Sequence, residues 1–418
     1  MPSFIHAGDI HLDSPLKGLE RYDGAPAEEV RAATRRALDT LVTYTLDEGI
    51  PLVVLAGDIY DGDWKDFQTG LFFASQMTRL RHGGVRVVML HGNHDAASSI
   101  TRHLPLPENV TVLDSRQPQT VVFDDLTVAV HGQSFPTPAV TENLAANYPT
   151  AIAGLFNIGL LHTAASGSEG HANYAPCSMA DLAATGYDYW ALGHVHDHKI
   201  LGTEPPVVYC GCLQGRHIRE TGPKGCVRVD VDASGHAVHT FVPMDVMRWA
   251  SVAVDATDAA TTHDIAERFA TALGDELRAA EGRPLAVRLT ITGACAAHAE
   301  LSADPDRTAA LIRHAATDAS AARAWVEKII LATSAPVDVA ALRSSNTPQG
   351  ELLRYLDRLE SGDENFDDLG FDIADLRTKL PAAIDLPDTS DPAVRSALVR
   401  DARELLLARI VAHSGDVA

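Results

Sequence analysis

The sequence predicts an α/β protein built on a mainly parallel sheet covered on both faces, followed by a smaller α/β unit and a helical tail. Three observations predict it. Over about the first 240 residues, short apolar runs alternate with segments of helical periodicity. Successive apolar runs stop at polar blocks of Asp, His, Asn and Gly. After Val242 the pattern restarts on a smaller scale, and from Ser344 the composition turns acidic. Runs apolar along their whole length mark strands buried on both faces. In such sheets the chemistry sits on loops beyond the strand ends.

Taken in order, Phe4 to Ala7 is a strand that ends in Gly8-Asp9-Ile10-His11. Ala27 to Leu46 reads as a helix, with Pro26 near its first turn and Gly49 just past its end. Pro51 to Ala56 is a β-branched run followed by Gly57-Asp58, and Phe67 to Leu80 is again helical. Val85 to Leu90 is a strand that ends in His91-Gly92-Asn93-His94-Asp95. Leu126 to Val130, Phe156 to Leu161 and Tyr189 to Leu192 are further strands, the last two followed by His162 and by Gly193-His194-Val195-His196. Beyond Val242, strands at Ala250 to Val254, Leu285 to Ile291 and Trp325 to Ala332 alternate with helices at Thr262 to Ala279 and Arg307 to Ala316. The last helix opens at Asp391-Pro392, an N-cap with proline in the first turn, and carries Val394, Leu398, Leu405, Leu406 and Ile410. The domains expected are 1–242, 243–340 and 341–418.

At 418 residues, 46% hydrophobic and 22% charged, the chain is an ordinary globular sequence. No apolar run approaches the roughly 20 residues of a membrane span, and the start lacks the charged and apolar regions of a signal peptide. Five cysteines, odd in number and scattered, argue against a disulfide framework and fit a reducing cytoplasm. The formal net charge of -22 argues against wholesale coating by nucleic acid. A nucleic-acid substrate stays open, because divalent cations and a local basic patch invert the field at one site.

The polar blocks carry the chemistry. Asp, His and Asn offer oxygen and imidazole donors suited to manganese, zinc or iron. Two such cations about 3.5–4 Å apart supply nucleophile, charge neutralisation and leaving-group help for phosphate-ester hydrolysis. Singly the blocks are weak: Gly-Asp after a strand is usually a turn, and a lone His162 is usually a core histidine. Together and in this order they are not ordinary. Glycine before Asp58, Asn93 and His194 is expected to let the backbone turn tightly where a ligand projects.

Asp9-x-His11, Gly57-Asp58-x-x-Asp61, Gly92-Asn93-His94-Asp95, His162 and Gly193-His194-x-His196 resemble the ordered motifs of calcineurin-like metallophosphoesterases. The resemblance implies a four-layer αββα sandwich over about the first 240 residues. It implies one metal on Asp9, His11, Asp58 and His196, and a second on Asp58, Asn93, His162 and His194, with a hydroxide bridging the pair. His94 would face the phosphate as proton donor or transition-state stabiliser, and Asp95 would either orient that imidazole or serve as a turn carboxylate.

A second block, Gly211 to Gly225, sets Gln214, Arg216, His217, Arg219 and Lys224 close together after the last ligand motif. Arg forks and Lys charges suit phosphate backbones, so these residues are expected to contact substrate; a solvated hairpin is the plainer alternative. The block is similar to that of SbcD-type DNA repair exonucleases, particularly their YhaO-like branch. That resemblance implies Mn2+-dependent cleavage at DNA ends, a coiled-coil ATPase partner of the SbcC type, a small α/β cap that binds DNA, and a homodimer. Two departures stand out. Cys210 and Cys212 occupy positions where Pro and Asn are expected, and Asp61 stands where archaeal and eukaryotic relatives carry histidine. A phosphomonoesterase or cyclic-nucleotide phosphodiesterase, and a non-catalytic scaffold for DNA ends or the ATPase, are the competing functions. The acidic stretch and final helix could bind a partner or pack on their own protein.

Overall fold

The computed structural model describes residues 2–14, 27–61, 67–97, 105–165, 174–336, 339–364 and 391–414. By their internal contacts the residues form two compact units: Met1–Ser251 with Glu276–Arg288 and Arg323–Lys328, and Val252–Asp275 with Leu289–Ala322 and Ile329–Ala418.

In the first unit the order is β1 (Ser3–Ala7), α1 (Ala27–Asp47), β2 (Leu52–Leu55), α2 (Gln68–His82), β3 (Arg86–Met89), α3 (Asn93–Ala97), β4 (Val110–Val112), β5 (Gln119–Phe123), β6 (Val128–Gly132), β7 (Phe156–His162), α4 (Met179–Ala184), β8 (Tyr189–Gly193), β9 (Lys199–Thr203), β10 (Pro206–Tyr209), β11 (Gly225–Val231) and β12 (Ala237–Pro243). The strands make two six-stranded sheets, ordered β12-β11-β1-β2-β3-β4 and β5-β6-β7-β8-β10-β9. Strands β1 to β4 are mutually parallel, as are β6, β7, β8 and β10. β11, β12, β5 and β9 close the edges in antiparallel pairings.

Side-chain alternation explains why the strands read as unbroken apolar runs. Val53, Leu55, Val87 and Met89 pack with Leu38, Leu41, Phe73, Met77 and Leu80 of α1 and α2. Their neighbours Leu52, Val54 and Val88 turn to the opposite face and meet Val128, Val130, Ile158, Leu160 and Tyr189 of the other sheet. Trp190 and Leu192 pack on that sheet's far side with Leu182 of α4 and Tyr148. Successive residues of one strand thus feed two separate cores. The layers run helix, sheet, sheet, helix, as the four-layer αββα expectation has it.

The remaining elements are β13 (Arg248–Asp255), α5 (Thr262–Ala279), β14 (Leu285–Ala294), α6 (His298–Ala303), α7 (Pro305–Ser320), β15 (Ala324–Ser334), α8 (Val339–Ser344), α9 (Pro348–Ser361) and α10 (Pro392–Ser414). β13, β14 and β15 form a third sheet in that order. In the second unit, α5 buries Ile265, Phe269 and Leu273 at four-residue intervals, and Asp304 caps α7 by accepting the Arg307 N–H.

Helix α9 is legible only in hindsight: Thr347 caps it ahead of Pro348, and Gly362 ends it at φ 85°. Its Leu353, Leu356 and Leu359 pack on Val399 of α10, with Leu406 at the margin, and Arg403 of α10 pairs with Asp357 and Glu360. Each fully buried leucine contributes about 1.5–3 kcal/mol, against about 0–1 kcal/mol for a surface ion pair, so the apolar seam holds the tail. The final helix thus packs on α9 through Val399 and Leu406, while Leu405 stays exposed. Of the acidic stretch, Asp363 and Glu364 follow α9, while Asn365, Asp367 and Asp368 lie outside the described residues. All five cysteines are buried and free. No helix among the described residues is long and apolar enough to cross a membrane.

Candidate metal centre

The polar blocks leave the carboxyl ends of parallel strands in both sheets: Asp9 and His11 beyond β1, Asp58 beyond β2, Asn93 beyond β3, His162 at the end of β7, and His194 and His196 beyond β8. The backbone there is unusual. Asp9, His11, Asp58 and His194 adopt positive φ of 47°, 46°, 51° and 99°. A left-handed conformation costs a non-glycine residue about 1–2 kcal/mol, and its concentration at one place is a mark of function. Hydrogen bonds hold it: Asp9 N–H donates to Gly57 O at 3.0 Å, His11 N–H to Asp58 O at 3.0 Å, and His194 N–H to the Asp9 carboxylate at 2.9 Å.

The motif glycines do more than turn. Gly57 has φ 90°, as a turn requires. Gly92 is needed for room instead: a Cβ there would stand 2.3 Å from Asp58 Oδ1 and 2.8 Å from His162 Cε1. The expectation of a tight turn is corrected at Gly92 to one of close approach.

Three overlapping groups have ligand atoms within 4.8 Å of one another: Asp9, His11 and His196; His11, Asp58 and His94; Asp9, Asp58 and His162. Asn93 joins them, its Oδ1 3.0 Å from His162 Nε2. His194 stands beside them, ring centroid 5.1 Å from that of His162, with its nitrogens outside those three groups.

Lone pairs decide what the cluster can hold. His162 Nδ1 lies 2.9 Å from Ala56 O, so it carries the proton and Nε2 is an acceptor. That Nε2 faces two more acceptors, Asn93 Oδ1 at 3.0 Å and Asp58 Oδ2 at 3.4 Å. His196 Nδ1 donates to Glu220 Oε1 at 2.7 Å, which leaves its Nε2 facing His11 Nε2 at 3.2 Å. His11 Nδ1 is buried 3.5 Å from Asp61 Oδ1, without a close hydrogen bond, and its Nε2 is the nitrogen that faces His196. Buried acceptors that face acceptors are costly unless something positive lies between them. Protons do not serve at His162 or His11, because burial pushes the first down to about 3 and the second well below the usual histidine range. The donor set fits divalent cations.

Asp9 and His196 share the cation-free charge. Burial raises the Asp9 carboxyl to about 7, against the pull of His196. Burial alone would lower His196, but its hydrogen bond to Glu220 and the charges of Asp9 and Glu220 outweigh that and raise it. A cation entering near neutral pH must displace this proton. Affinity should therefore fall as pH drops through about 7, by roughly tenfold per unit for each proton displaced. Calorimetric titration with Mn2+ at pH 8 and pH 6 checks this, and equal affinities would contradict it.

The structure corrects several assignments. Asp95 does not hold His94. Adjacent residues on α3 point about 100° apart, and the Asp95 carboxylate accepts the backbone N–H groups of Ile59, Tyr60 and Gly92 at 3.2, 2.9 and 3.1 Å. The group on His94 is Asp61, 2.9 Å from Nδ1, itself hydrogen-bonded by Ser14 at 2.6 Å. Gln214 is buried and bonded to Met247 O and Val246 N–H, so its amide is engaged within the protein. Lys224 is likewise buried and donates to His196 O and Asp197. Arg216 is mostly buried on Glu220. Of the five residues expected to contact substrate, only His217 and Arg219 are exposed. Asp61 was legible in the Gly-Asp-x-x-Asp spacing; Glu220 was not, since no local rule ties it to His196, 24 residues earlier.

Residues 2–198 match the family model described as calcineurin-like phosphoesterase, and residues 249–334 match that of the metallophosphoesterase YhaO middle domain. The chain is 35% identical over 295 residues to the Bacillus subtilis (strain 168) protein described as "Uncharacterized metallophosphoesterase YhaO", covering 70% of this chain and 72% of that one. The chain belongs to the calcineurin-like metallophosphoesterases. This metallophosphoesterase is also 25% identical over 230 residues to the "DNA double-strand break repair protein Mre11" of Halobacterium salinarum (strain ATCC 700922 / JCM 11081 / NRC-1). There the match takes in 54% of this chain and about half of the relative, 55%. The family makes it a metal-dependent phosphoesterase, and the buried Asp and His groups are where divalent metals fit.

Proposed function

We propose that this metallophosphoesterase is a two-cation phosphodiesterase that cleaves DNA at its ends. The observation that carries the reading is the buried set of facing lone pairs with the half-exposed His94 beside it, its ring centroid 4.9 Å from that of His11. Similarity to a relative named for double-strand break repair supports DNA as the substrate. Asp9, His11, Asp58 and His196 would hold one cation, and Asp58, Asn93, His162 and His194 the other. Two divalent cations, Mn2+ in this proposal, would neutralise the phosphate oxygens and lower the pKa of a water molecule. Asp61 engages His94 at Nδ1, which leaves Nε2 to protonate the departing oxygen. Arg219 offers exposed positive charge, and His217 an exposed imidazole, near the loop that carries His196.

The expected outcome is Mn2+-dependent release of nucleotides from linear duplex DNA, with closed circular DNA resistant and EDTA abolishing the reaction. The burial of Gln214 and Lys224 favours a second reading, a phosphatase or cyclic-nucleotide phosphodiesterase, because the basic block presents less charge than its sequence suggests. Cleavage of bis(p-nitrophenyl) phosphate without any attack on DNA would establish that reading instead. Tight binding to a coiled-coil ATPase without cleavage of either substrate would establish a scaffold. A cytoplasmic location, which the five free cysteines support, and an SbcC-type partner and a homodimer, which the SbcD-type resemblance implies, belong to the same proposal.

A further inference from the structure

We propose that Glu220, clamped by Arg216, is the positioning residue that holds His196 in the one tautomer able to take a cation. The inference rests on the reading of the cluster as a cation centre. Glu220 is 3% exposed. Its Oε1 lies 2.7 Å from His196 Nδ1 and 2.8 Å from Arg216 Nη2, and its Oε2 accepts the Arg216 backbone N–H at 2.7 Å. Arg216 Nη2 also lies 3.2 Å from His196 Nδ1, but the shorter contact, 2.7 Å to an anionic carboxylate that can only accept, places the imidazole proton on Nδ1 and the lone pair on Nε2. That lone pair points toward His11 Nε2 at 3.2 Å and Asp9 Oδ1 at 4.0 Å.

The rest of the block fixes the other end of the same residue. The His196 carbonyl accepts the Cys212 N–H at 3.1 Å and the Lys224 ammonium at 3.2 Å. Arg216 reaches further, with Nη1 3.9 Å from Oδ2 of the Asp61 carboxylate that holds His94. One largely buried guanidinium thus stands between two carboxylates, each of which also engages an imidazole of the site. A buried ion pair is weak evidence for stability, because desolvation offsets its attraction. Its placement against two imidazoles of the site gives it a positioning role. The segment from Cys212 to Lys224 then backs the cation centre, and Arg216 and Lys224 inside it serve the metal ligands before any substrate.

The test is calorimetric Mn2+ titration of the full-length protein and of Glu220→Gln. Glutamine keeps the shape but can turn its amide N–H toward Nδ1, which moves the imidazole proton to Nε2 and aims it at the cation. One of two Mn2+ positions should weaken by about 10–100-fold, the range for loss of an outer-shell partner. The 15N shifts of His196, assigned by comparison with His196→Ala, should report the proton leaving Nδ1, a change that loosened packing alone would not produce. If Glu220→Gln does not fold, Glu220→Met combined with Arg216→Met removes both charges together and should show the same weakened position. Two unaltered Mn2+ affinities in a folded Glu220 variant, with one position lost in His196→Ala, would overturn the inference and leave the cation centre standing. A wild-type protein that takes up no Mn2+ would overturn the cation centre itself.

Discussion

Asparagine in place of Asp58 should cut Mn2+ uptake from two ions to one at most and lower phosphodiester cleavage by on the order of 10³-fold or more. Asp58 belongs to two of the three overlapping ligand groups, the ones that also contain His11 and His162. Its Oδ2 stands 3.8 Å from His11 Nε2 and 3.4 Å from His162 Nε2, so a single oxygen faces both halves of the site. Asparagine suits the position otherwise: it tolerates the left-handed φ of 51° and can still accept the His94 N–H that Oδ1 now takes at 2.9 Å. What it removes is charge.

The effect on stability should have opposite signs with and without metal. Burial raises the pKa of Asp58 in the folded, cation-free chain. A carboxyl with a raised folded pKa opposes folding once pH exceeds its unfolded value near 3.9, because charging it then costs more inside than outside. Removing it should raise the melting temperature of the metal-free protein at pH 8. The wild type should gain stability on addition of Mn2+, since a ligand bound only to the folded state contributes RT ln(1 + [L]/Kd); the variant should lose most of that gain. Melting curves with EDTA and with Mn2+ read both effects. Two bound ions in Asp58→Asn would rule out a shared carboxylate.

Much of this was legible in the primary structure because strand and ligand announce themselves together. Val53, Val54 and Leu55 followed by Gly57-Asp58 give the strand, its burial on both faces and the projecting carboxylate in one stretch. Tertiary partners were harder. Asp95 is adjacent to His94 in sequence, yet helix geometry turns it away, and the residue that meets His94 is Asp61, 33 positions earlier by subtraction of the two numbers. The basic block misled for a similar reason. Charge density in a sequence says nothing about direction, and the buried Lys224 and Arg216 spend their charge on the protein's own carboxylates, Asp197 and Glu220. Helix α9 was obscured because the acidic run that begins at Asp363, just past its end, set the reading of the whole segment, although Leu353, Leu356 and Leu359 carry the helix's packing.

Glutamine in place of His94 should leave both cations bound and slow DNA cleavage by about 10²–10⁴-fold, the usual contribution of a general acid. His94 is the most exposed imidazole of the site, its side chain 41% exposed against 20% for His196, with His11 and His162 fully buried. Asp61 accepts at its Nδ1, and that hydrogen bond, working against burial, raises the imidazole pKa. A proton donor matters in proportion to the basicity of what leaves. A deoxyribose alkoxide needs the proton, whereas p-nitrophenolate departs without it. The variant should therefore lose far more activity on DNA than on bis(p-nitrophenyl) phosphate, where a loss within about tenfold is expected. Equal losses on the two substrates would reassign His94 from proton donation to stabilising charge on the phosphate oxygens, because that interaction is indifferent to the leaving group. Loss of a cation in His94→Gln would place His94 with His11 and Asp58 as a ligand, in line with the second of the three groups. Asp61→Asn sharpens the distinction: it keeps the cations in place if His94 acts on the phosphate, and it lowers the DNA rate by releasing the imidazole that Asp61 now orients.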